Sequence, residues 1–182
     1  MAIAHTTQSP LTLGVIESFM SETEIYKNNL DSFLTKMQGS FVEKVTLHID
    51  AQPTFDKAAL PFDFLYCFSI EFTADRGNYR LRTAMTSSAI NTFLVEPVEG
   101  TPSGGLIKSI QSKVVSISCK YGYSDLVYKI SIEFEDFALF IFAAEIYDTA
   151  DDTYDCKIND EMLLVFDNKS EADKFEAAAN YA

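Results

Sequence analysis

"SIEF" stands twice in this chain, at Ser69–Phe72 and at Ser131–Phe134, and the residues around both copies decide the fold. The first copy lies in "FDFLYCFSIEFT" (Phe62–Thr73) and the second in "SDLVYKISIEFE" (Ser124–Glu135). At an offset of 62 residues, Asp63 meets Asp125 and Tyr66 meets Tyr128, while Phe64, Leu65 and Phe68 meet Leu126, Val127 and Ile130. Both stretches alternate with a period of two, which predicts half-buried β-strands. In the first, Phe64, Tyr66, Phe68, Ile70 and Phe72 share the predicted buried face. In the second, that face holds Leu126, Tyr128, Ile130, Ile132 and Phe134. The midstrand carboxylates Glu71 and Glu133 fall among outward-facing serines and read as a solvated face.

The flanks extend the correspondence. "ADRGN" (Ala74–Asn78) reads as a hairpin turn with Gly77 free to take positive φ, and "YRLRTAM" as the returning strand. "DFALFIFAAEIYD" is the return strand of the second copy. "VVSISCKY" (Val114–Tyr121) mirrors "VEKVTLHI" (Val42–Ile49), and "LLVFD" (Leu163–Asp167) mirrors "TFLVE" (Thr92–Glu96). "LIKSIQSK" (Leu106–Lys113) is expected to form a short helix, as "LDSFLTKMQ" (Leu30–Gln38) does in the first half. Each half thus repeats helix, strand, long strand, hairpin, strand.

Apolar residues at helical spacing predict helices between Leu11 and Met37, with a break where Ser21 and Glu24 fit a capping box; Gly39 ends the second helix. A last helix, "SEADKFEAAANY", is expected from Ser170. The fold class is α+β: a mainly antiparallel β-sheet built from two pseudo-repeated β-hairpin units, with N-terminal helices and a C-terminal helix. Residues 1–40 form the helical lead, 41–99 the first repeat, 100–105 ("GTPSGG") a linker, and 106–182 the second repeat with its helix, in one globular unit.

The chain carries a net charge of −13, so nucleic acid and anionic membranes are not expected partners. Cys67, Cys119 and Cys156 are widely spaced and odd in number, which suits buried thiols in a reducing compartment. The start lacks the pattern of a signal peptide, and the longest apolar run, "FALFIFAAEIY", is too short to span a bilayer, so a cytoplasmic location is expected. The histidines, His5 and His48, have no partners at metal-ligand spacing. No nucleophile motif and no phosphate loop occur. No enzyme, cofactor or metal site is expected.

Charge concentrates at one place. From Glu133 to Glu161 there are ten carboxylates and a single base, Lys157. The densest part, "YDTADDTYDCKINDE", supplies the candidate partner-binding residues Tyr147, Asp148, Asp151, Asp152, Tyr154, Asp155, Asp160 and Glu161. It does not fit a calcium loop, because no glycine sits at the turn position. Carboxylates interleaved with tyrosines suit recognition of a basic protein, the charge steering encounter and the rings supplying contact area.

"YGYSDLVYKISIEFEDFALFIFA" followed by "KINDEMLLVFDNKSEADKF" resembles small acidic bacterial domains encoded beside polymorphic toxins, the immunity proteins of contact-dependent growth-inhibition systems. The resemblance covers roughly Ser112–Phe175 and includes no catalytic motif. It implies a cytoplasmic protein that binds one toxin and covers its active site, and the acidic charge suits a basic toxin of nuclease type. Two other readings fit the same charge: a nucleic-acid mimic that inhibits a DNA-binding protein, and an acidic ligand-binding or scaffold domain.

Overall fold

The computed structural model describes residues 21–50, 55–56, 60–100, 104–149 and 153–181. The helix expected between Leu11 and Met20 lies outside these residues, as do Asp151 and Asp152. Helix α1 (Glu22–Met37) begins at the expected capping box: the Ser21 hydroxyl accepts from the Glu24 amide, and the Glu24 carboxylate accepts from the Ser21 amide at 2.7 Å. Gly39, at φ 73°, turns the chain into the first strand. Leu30, Phe33 and Met37 form the buried stripe of α1, and the Phe33 ring packs 5.7 Å from Phe72 and 5.4 Å from Tyr79.

The rest is an antiparallel sheet with one short parallel addition at its edge. Its strands are β1 (Phe41–Ile49), β2 (Leu65–Ala74), β3 (Gly77–Met85), β4 (Asn91–Pro97), β5 (Leu106–Tyr121), β6 (Val127–Phe134), β7 (Ala138–Asp148), β8 (Tyr154–Ile158) and β9 (Met162–Phe166). Helix α2 (Lys169–Ala178) and β10 (Asn180–Tyr181), which pairs in parallel with β8, complete the chain. Strands β1 to β4 pair in succession, as do β5 to β8, and β1 pairs with β5. Strand β9 pairs with both β7 and β2. The pairings β1–β2–β9–β7–β6–β5–β1 therefore return to their start and close a ring. The hairpin β3–β4 continues outward from the second half of β2. The crossover from β4 enters β5 at Gly105, at φ 81°; a Cβ there would lie 2.7 Å from the Leu47 carbonyl oxygen, so only glycine fits.

The ring has an apolar inside and a second apolar layer outside. Val45, Leu47, Ile70, Phe72, Ile130, Ile132, Leu139, Ile141, Leu163 and Val165 share the inner cluster with the α1 stripe. Phe64, Tyr66, Phe140, Phe142, Leu164 and Phe166 face the other way, under Phe62 and the Ala172 and Phe175 side chains of α2. Strands β7 and β9 are buried on both faces, which is why their sequences run apolar without alternation.

Four expectations are corrected. "LIKSIQSK" is not a helix: it is the first half of β5, held by its pairing with β1. Phe64, Tyr66, Phe68, Ile70 and Phe72 do not share one face: a bulge opposite His48 and Ile49 makes Phe68 an extra residue, 56% exposed, so Cys67, Ile70 and Phe72 join the inner cluster while Phe64 and Tyr66 join the outer layer, as Tyr128 does apart from Ile130, Ile132 and Phe134. Glu71 is not solvated but 2% exposed. Helix α2 is capped by Asn168, whose side chain accepts from the Ser170 amide, so the helix starts one residue before Ser170. No helix among the described residues is long and apolar enough to cross a membrane.

Helix α2 docks through a buried charge. Lys129 is 4% exposed on the outer face of β6, with its ammonium 4.8 Å from the Phe142 ring centroid and 2.6 Å from Glu176 Oε2. Lys120 and the Tyr128 hydroxyl both donate to Glu176 Oε1, at 2.7 and 2.6 Å. Burial pushes the Glu176 carboxyl up, but these hydrogen bonds together outweigh it and hold its pKa down to about 2.

Two outcomes follow. Ile132→Ala, at a fully buried inner position, should cost about 2–5 kcal/mol in denaturant unfolding. Glu176→Ala should cost about 3–5 kcal/mol by stranding the Lys129 charge, and adding Lys129→Met should recover most of that loss. Because the folded pKa of Glu176 lies below its unfolded value, its contribution is present at neutral pH and fades as pH falls from about 4.3 towards 2.

Candidate functional site

The acidic stretch folds into the far end of the β7–β8 hairpin and the corner where β8 becomes β9. Tyr147 lies opposite Asp155, and Asp148 opposite Tyr154. The hairpin closes where the Thr149 amide donates to the Thr153 carbonyl at 2.9 Å. At the corner, Asn159 takes φ 61° and its amide donates to the Ala143 carbonyl at 2.7 Å. Its side-chain amide reaches the Asn91 carbonyl at 3.1 Å, tying β4 to the ring. This corner lets one chain segment pair along nearly all of β7, first as β8 and then as β9.

The corner gathers residues that are distant in sequence. The Tyr147 hydroxyl donates to Asp160 Oδ2 at 2.8 Å, and Asp160 Oδ1 accepts from the Glu161 amide at 2.9 Å. The Tyr66 hydroxyl, from β2, donates to Glu145 Oε1. Lys157 sits 5.2 Å from the Tyr147 ring centroid and 3.8 Å from Asp155. Burial pushes the Glu145 carboxyl up; the Tyr66 hydrogen bond opposes this, and the charges of Asp160, Glu161 and Asp50 push it up further. Burial and the Asp160 carboxylate likewise push the Tyr147 hydroxyl up. The corner is therefore a concentration of negative potential.

The predicted binding residues divide unequally. Tyr147, Asp148 and Glu161 are exposed, and Tyr154 and Asp155 are half-buried. Asp160 is buried, with both oxygens used inside the corner. Asp151 and Asp152 lie outside the described residues. Tyr66, Glu145 and Asp50 were missed, since nothing in their local sequence says that β2 lies beside β7 across β9. Among the described residues no group of three His, Cys, Asp or Glu side chains could hold a metal ion.

Glu71 and Glu133, the matching carboxylates of the two long strands, each have a separate partner. Glu133 accepts from the Ser116 hydroxyl at 2.5 Å on the surface. Glu71 Oε1 accepts from Arg80 Nε at 2.7 Å and lies 3.5 Å from His48 Nε2. A signal existed for this pair: a two-residue turn at Asp75 and Arg76 sets Glu71 opposite Arg80 by simple counting along the hairpin.

No protein-family model matches the chain, and neither a curated protein nor a solved structure matches it at a significant level.

The crowding at the corner has a measurable sign. The folded pKa of Glu145 lies above its unfolded value of about 4.3, so ionised Glu145 costs stability once pH rises through the folded value. Glu145→Gln should raise the melting temperature at pH 7, and the gain should vanish by about pH 4. Tyr66→Phe should push the Glu145 carboxyl higher still in an NMR titration, because it removes the one hydrogen bond that holds it down.

Proposed function

We propose that this chain is a cytoplasmic immunity protein that binds a basic toxin domain of nuclease type and covers its active-site cleft with the acidic corner of β7, β8 and β9. The observation that carries the reading is the corner itself. Exposed Tyr147, Asp148 and Glu161 stand over a layer of carboxylates, with Lys157 the one base that the described ion pairs place there. A cleft built to hold phosphates is met by carboxylates in their place, and Tyr147 offers an exposed aromatic anchor with the Lys157 ammonium against its ring. The net charge of −13 gives the same sign to the long-range field. The reading requires no catalytic step, cofactor or metal from this chain.

We also infer that the two halves are copies of one unit. In support, each half is a four-strand meander, and the central pairing of β1 with β5 places Val42 opposite Ser112 as Val114 bonds to Ser40 in return, at 2.9 Å. Sequence identity between the halves is densest in the two long strands, with Asp63 and Asp125 just before them.

Binding to the product of the adjacent upstream gene, expected to be the toxin domain, tests the function. Asp148→Lys with Asp155→Lys should cut affinity at least tenfold, chiefly through a slower association rate, with the unfolding midpoint within about 0.5 kcal/mol of the parent. Wild-type association should slow as salt rises, since steering is screened over about 8–10 Å at physiological ionic strength. Tyr147→Ala should cost more than either carboxylate change alone. Charge reversal at exposed Asp31 and Glu43 should be silent; if it abolishes binding while the Asp148/Asp155 pair is silent, the interface lies in the N-terminal half.

A further inference from the structure

Among the described residues, one end of the ring is plugged and the other is open. Helix α1 lies across the end where β1 begins and β6 starts, with Phe33 and Met37 in the inner cluster. At the opposite end a cavity of about 520 Å³ opens, walled by the inner face itself: Val45 and Leu47 of β1, Leu65 of β2, Ile110 of β5, Leu139 of β7 and Val165 of β9. The opening has a structural cause. The β5–β6 ladder runs only from Val114 to Tyr121, so Leu106–Ile110 is held by β1 on one side and, among the described residues, has no strand on the other. The missing rung leaves a slot between β5 and the start of β7. At its rim stand Lys108, which is paired with Asp167 at 3.5 Å, and Asp63.

We propose that this barrel mouth is a binding site for an uncharged, largely apolar small molecule. A cavity of this volume with mainly apolar walls and a few polar groups, Asp63, Lys108, Ser109 and Asp167, has the size and character of small-molecule sites, and barrel mouths are a usual place for them. The rim sets the charge class. Its one base is already matched by Asp167, and a second acid stands beside it, so an anionic head group meets no free cation there. Strand addition by a peptide or by a second copy is opposed by the edge itself. Lys108 shares the inward face with Ile110, and Gln111 breaks the edge at φ 50°, two features that keep an open strand from pairing. The site is on a different part of the ring from the acidic corner and does not depend on the toxin-binding reading.

Titration with N-phenyl-1-naphthylamine, an uncharged fluorescent probe, tests it. The wild-type chain should give saturable, one-to-one enhancement and a melting temperature that rises with probe concentration. Ile110→Trp, at a half-exposed rim position, should weaken binding at least tenfold with circular dichroism unchanged. Leu139→Phe, which fills the cavity from the opposite wall, should do the same. Phe68→Ser, which removes the exposed ring on the outer face, should leave binding intact. The proposal is overturned if enhancement is not saturable, or if Phe68→Ser abolishes it while both filling variants bind as the parent does. It is also overturned if sedimentation shows a dimer that Ile110→Trp dissolves, since the mouth would then seat a second copy.

Discussion

Strand β9 is five residues long and has two neighbours that begin some 70 residues apart in the chain. Its antiparallel pairing with β2 on one edge and β7 on the other converts an open meander into a ring. A strand so placed has no free edge, and its side chains have no solvent face: Leu163 and Val165 point into the ring, while Met162, Leu164 and Phe166 point under α2. The inner core, the outer aromatic layer and the docking of α2 all depend on that short segment reaching across. It reaches because Asn159, Asp160 and Glu161 offset β9 from β8 along the same side of β7.

The layers packed on the ring also carry buried charges, and the molecule treats them in two ways. Lys129 and Glu71 are each almost wholly buried on the outer surface of the ring, and each is met by an opposite charge. Breaking such a pair leaves a desolvated ion, so these contacts fix geometry more than they add stability. At the acidic corner the opposite holds. Glu145 faces other carboxylates and takes its main support from a tyrosine hydroxyl. A cluster of like charges held together by the backbone costs folding free energy, which is the kind of local conflict that binding surfaces carry.

What could be read from the sequence was whatever is decided locally. The Ser21–Glu24 box, the Gly39 stop, the turn at Gly77 and the long strands around both "SIEF" copies are set by neighbours within a few residues. The failures are non-local. In "LIKSIQSK", Leu106, Ile107 and Ile110 suit a helix turn as well as a strand, and only the β1 edge chooses between them. Phe68 follows a perfect alternation that the bulge then breaks. Lys129 looks like a solvent-facing strand lysine until Glu176 arrives 47 residues later. The candidate site shares this division: Tyr147, Asp148, Asp155 and Asp160 could be picked out as a run, whereas Tyr66 and Glu145 meet only because β9 brings β2 beside β7.

The same closure has a consequence during synthesis. Leu65 finds Val165 only after about 100 more residues have left the ribosome, a wait of roughly 5–20 s at ordinary elongation rates. Until then β2 presents an open apolar edge at Leu65–Cys67, and the inner faces of β1 and β2 have no roof. The nascent chain must therefore hold a half-built meander in solution. Closing the ring is a long-range pairing, slow by topology and exposed to misassociation until β9 arrives. Truncation anywhere before Leu163 would leave the edge of β2 permanently open, so quality control would meet a sticky fragment in place of a smaller folded protein.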